Sequence, residues 1–61
     1  MDIYQQIYDT YVSETPEQRQ AHRQHYEQAH QKNVAANRRD LFVMTRKILA
    51  AFDKADQGLP Y

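Results

Sequence analysis

The chain has no cysteine, one glycine and two prolines among its 61 residues. Without cysteine, neither a disulfide nor a thiolate zinc site can hold so short a chain together. The longest apolar run covers the five residues 48–52, far short of the ~20 residues that cross a bilayer, so no membrane partner is expected. The first residues lack the basic stretch and apolar core of a secretory signal. Together with the missing cysteines, this fits a cytoplasmic protein. An excess charge of either sign is also lacking, with eight basic and eight acidic side chains. A nucleic-acid-binding domain is more usually net basic. Paired carboxylates, a nucleophile with a spaced base, and a Gly-rich phosphate loop are all missing. A chain of this size does not enclose a pocket of a few hundred Å³. Neither enzymatic activity, a small-molecule substrate, a cofactor nor a metal is therefore expected.

The shortage of Gly and Pro, set against abundant Gln, Ala, Arg and Lys, points to helix nearly throughout. The expected architecture is all-α: one small helical domain over residues 1–61, with helices at about 2–13, 16–32 and 37–56. In the first, apolar pairs recur every four residues (Ile3/Tyr4, Ile7/Tyr8, Tyr11/Val12), and Asp2 is placed to cap it. The second opens with the sharpest local signal in the chain. Thr15 precedes Pro16, and Gln18 falls three residues after Thr15, which is a capping box with proline at the first helical position. A turn is expected within 32–37, with Asn37 capping the third helix and Asp40 at that helix's third position. The competing arrangement is a helical hairpin with one long C-terminal helix. Gly58 followed by Pro60 stops the last helix.

The segment 41–55 alone can anchor a core. At 100° per residue, Leu41, Met44, Ile48, Ala51, Phe52 and Ala55 line one stripe, with Phe42 and Leu49 widening it. So broad a face asks for two covering elements, and the Gln- and His-rich middle of the chain is a poor one. A chain this short buries only about 60% of the surface its unfolded form exposes, so a homodimer or another protein partner is expected to complete the cover. Ile3, Ile7, Leu41, Met44, Ile48 and Phe52 are expected to carry the fold. Tyr4, Tyr8, Tyr11, Phe42 and Leu49 are expected to form the contact surface, because amphipathic rings are enriched at interfaces.

Two further sets stand out. Residues 1–31 hold two basic against five acidic side chains, net −3, and residues 32–61 hold six against three, net +3. An acidic front packing against a basic back explains this asymmetry most simply. The other reading is a nucleic-acid face built on Arg38, Arg39, Arg46 and Lys47. The second set is His22, His25 and His30, whose spacings of three, five and eight residues suit one metal ion poorly. Protonating all three beside Arg19 and Arg23 would crowd positive charge on one helix, so acid is expected to loosen the fold. The function these features favour is a non-catalytic helical interaction or regulatory module.

Overall fold

The structure, a computed structural model, describes residues 2–61; Met1 lies outside the described residues. Among these residues there are three helices and no strand: α1 (Ile3–Ser13), α2 (Pro16–Ala35) and α3 (Arg39–Asp56). They form a small all-α bundle of 32 × 27 × 17 Å. The hairpin with one long C-terminal helix is not formed.

Local chemistry sets the ends of each helix. Asp2 accepts from the Tyr4 backbone N–H at 2.9 Å, satisfying one of the free amides of the first turn of α1. At α2 the capping box is complete: the Gln18 N–H donates to Thr15 Oγ1 at 3.2 Å, and the Thr15 N–H donates to Gln18 Oε1 at 3.1 Å. α2 then runs three residues beyond the expected end, because nothing in 33–35 opposes helical geometry. It stops where Asn37 takes φ 58°. The Arg38 N–H reaches the Asn33 carbonyl at 2.9 Å, and the Asn37 N–H reaches Val34 at 3.1 Å. That is the Schellman arrangement, with Asn in the left-handed position. Asn37 therefore closes α2 instead of capping α3. α3 begins at Arg39, its N-cap position is Arg38, and no side chain caps it. The same motif ends α3: Gly58 has φ 73°, and the Leu59 N–H reaches the Lys54 carbonyl at 2.9 Å.

α3 is the shared element. It packs against both α1 and α2, while those two meet only sparsely. Arg23 pairs with Asp53 and Asp56, the Tyr26 ring lies against Phe52, and His30 meets Thr45. α2 is therefore antiparallel to α3. Tyr4 lies by Lys47 and Tyr11 by Asp56, so α1 runs parallel to α3 and starts beside its middle. Among the described residues, Tyr11, Ile48, Ala51 and Phe52 form the buried core, with Thr45 the one buried polar residue. Phe52 sits at the centre, stacked on Tyr11 with ring centroids 4.1 Å apart.

Candidate interaction surface

Two of the residues expected to carry the fold, Ile48 and Phe52, are buried, and Ile7 packs against their cluster. Leu41, Met44 and Ile3 are not: they remain 42%, 45% and 59% exposed. Leu41 and Met44 stand seven and four residues before Ile48, on the same helical stripe. The physical reason is reach. α1 has 11 residues and α3 has 18, lengths of about 16 and 27 Å. α1 starts beside Lys47, so the first turns of α3 project past it with their apolar face bare.

The expected contact residues occupy three environments instead of one surface. Tyr11 is inside the chain's own core at 2% exposure, its hydroxyl donating to the Asp56 carboxylate at 3.0 and 3.1 Å. Tyr4 and Tyr8 are half-buried on α1. Lys47 Nζ lies 5.4 Å from the Tyr4 ring centroid. The Tyr8 hydroxyl donates to the Leu59 carbonyl, and its ring lies 5.6 Å from that of Tyr61. Phe42 and Leu49 are half-buried on the other edge of α3, with Phe42 5.9 Å from the His30 ring. Positions 47 and 42 differ by five residues, or 500°, and so face nearly opposite ways around the helix.

Of the basic residues, Arg38, Arg39 and Arg46 are exposed and enter no ion pair or side-chain hydrogen bond among the described residues. Lys47 is occupied by Tyr4. The expected pairing of front acids with back bases forms no ion pair among the described residues; the ion pairs that join the two halves run the other way, with the α2 base Arg23 held by two α3 acids. Its guanidinium lies 2.6 Å from Asp53 and 3.0 Å from Asp56. The Asp53 hydrogen bond holds Arg23 even more firmly protonated than usual, against the cost of desolvation. Burial pushes the Tyr11 phenol above its ordinary value; Arg23 opposes that rise and Asp56 adds to it.

The histidines are dispersed. His22 Nδ1 is 3.0 Å from Glu14, His30 Nδ1 is 2.7 Å from the Thr45 hydroxyl, and His25 meets the Tyr26 ring edge-on. No three His, Asp or Glu side chains among the described residues are grouped to hold a metal ion. The gap between α1 and α2 is an open cleft of about 250 Å³, floored by Ile7, Tyr11, Tyr26 and Phe52 with Glu14 and His22 at its edge.

Hydrophobicity alone hides the positioning residues on α2. Arg19, Arg23, Tyr26, His30 and Asn33 are all half-buried, and they are spaced 4, 3, 4 and 3 residues apart. That is the a/d repeat of a helix seam, written with one apolar residue in five. α3 answers with Thr45, Ile48, Phe52 and Ala55 at the matching 3, 4 and 3 spacing. Arg19 has a second role: its Nε donates to the Tyr11 carbonyl at 2.9 Å and its Nη2 to that of Val12. It thereby satisfies the carbonyl end of α1.

No family model, curated protein or solved structure matches this chain. The architecture defines it as a small three-helix protein in which no helix of the described residues is long and apolar enough to cross a membrane.

Proposed function

We propose that the protein is a non-catalytic helical interaction module that engages another protein chain through the bare end of the α3 stripe. One observation carries this reading: Leu41 and Met44 lie on the stripe that buries Ile48 and Phe52, yet both are almost half exposed. Covering a continuation of the core seam extends packing that already exists, so a docked helix gains apolar burial at little ordering cost on this side. Ile3 at the start of α1 adds a third bare apolar side chain. The partner is a second copy or a different protein. Light scattering separates these, since the first gives the mass of two chains and loses it in Leu41→Ser.

The direct test places a photo-crosslinking residue at 41, at 44 and at Gln28, an exposed position on α2. Discrete adducts from 41 and 44 but not from 28 are expected in cells producing the protein. Equal labelling from all three positions would overturn the reading. Nucleic-acid binding through Arg38, Arg39 and Arg46 is the second reading, favoured by their lack of partners within the chain. Duplex DNA binding that weakens steeply as salt rises would support it.

A further inference from the structure

A second stripe on α3, on the edge away from α1, combines two kinds of side chain. Arg39, Phe42, Arg46 and Leu49 are spaced 3, 4 and 3 residues apart, so they follow one another along a single line of the helix. Both arginines are exposed and partnerless among the described residues. Phe42 and Leu49 are half-buried, and at the upper end of the stripe Arg39, Phe42 and Val34 line one hollow of about 270 Å³. Val34 is 55% exposed.

We propose that this stripe docks an acidic amphipathic helix, whose apolar side chains meet Phe42, Leu49 and Val34 and whose carboxylates pair with Arg39 and Arg46. The stripe repeats at the spacing at which a helix presents its own side chains. Guanidinium groups form two-pronged hydrogen bonds with carboxylates, which fixes register as well as adding attraction. The surrounding charge points the same way. Residues 32–47 carry five bases against one acid, net +4, and the rest of the chain three bases against seven acids, net −4. A nucleic-acid backbone would offer nothing apolar to Phe42 and Leu49. A second copy docking edge to edge would set Arg39 and Arg46 against their own equivalents, a juxtaposition that disfavours association.

The test uses two synthetic fluorescein-labelled helices with Leu at the a and d positions. One carries Glu at the flanking positions and the other Lys. Fluorescence anisotropy should show binding of the Glu helix, weakened about tenfold or more between roughly 50 mM and roughly 500 mM salt, and none of the Lys helix. The double variant Arg39→Glu/Arg46→Glu should reverse that preference. Its far-UV circular dichroism should be unchanged, since neither arginine supports the fold. Leu41→Ser/Met44→Ser should leave Glu-helix binding intact, which separates this stripe from the surface proposed above. Equal binding of the two helices, binding of neither, or displacement of the Glu helix by duplex DNA would each overturn the assignment.

Discussion

Phe52 and Tyr11 show how much of this molecule depends on single rings. Phe52 is sealed between the stacked Tyr11 ring and the edge-on Tyr26 ring, at centroid distances of 4.1 and 5.7 Å. Phe52→Ala should cost about 3–5 kcal/mol, close to the whole stability of many small domains. In urea the variant should show no cooperative transition, or one near zero denaturant. Tyr11 adds a pH dependence. Its phenol ionises at higher pH in the folded chain than in the unfolded one. Its contribution is therefore complete below about pH 10, the ordinary tyrosine value, and is lost as pH rises through the folded value. Thermal melts should weaken above that pH, and Tyr11→Phe should flatten the alkaline decline. At this scale Ile48 and Phe52 were legible from periodicity. Tyr11 was not, because the Asp56 partner that settles its hydroxyl lies 45 residues away. Leu41 and Met44 misled because periodicity gives the face of a helix and not the reach of its neighbour.

At the scale of elements, boundaries follow from side chains that serve one backbone group each. The Thr15–Gln18 box was readable because its chemistry is local. Replacing Thr15 with Ala should cost about 1 kcal/mol in chemical denaturation. The α2–α3 break was placed nearly correctly, but Asn37 had two roles open to it and the chain uses the left-handed one. Asn37→Ala should therefore destabilise by about 1–2 kcal/mol, the cost of a Cβ in left-handed geometry. Asn37→Gly should not, and urea midpoints of the two variants distinguish this role from capping. α2 was read as a weak cover because its apolar content is low. None of its residues is fully buried, yet it docks along its length, because long polar side chains at seam spacing cover a neighbour with their stems while their ends find partners.

For the whole molecule, the decisive arrangement is one helix shared by two that scarcely touch. α1 is too short to be stable alone and is tied down from several directions. Tyr8 holds Leu59, the Tyr61 hydroxyl reaches Asp2 at 3.1 Å, and Arg19 caps its carbonyl end. Deleting residues 59–61 should raise amide exchange throughout α1 while the α2–α3 pair keeps its protection. Uniform acceleration over all three helices would show instead that the chain unfolds as one unit. None of this strapping was visible in the sequence, where the last residues read only as a helix stop.

The polar seam between α2 and α3 also acts as a lock on sliding. Two helices joined only by leucines could shift one heptad past each other and still bury oil against oil. Here a seven-residue slip of α3 would bring Leu49 where Asp56 stands, leaving the Arg23 guanidinium and the Tyr11 hydroxyl without the carboxylate they share. It would also take Thr45 from His30. Each lost hydrogen bond would leave a partly buried polar group without its partner, a cost that a seam of leucines does not carry. The sparing use of apolar residues in α2 thus gives the hairpin one alignment, much as a key is defined by its cuts.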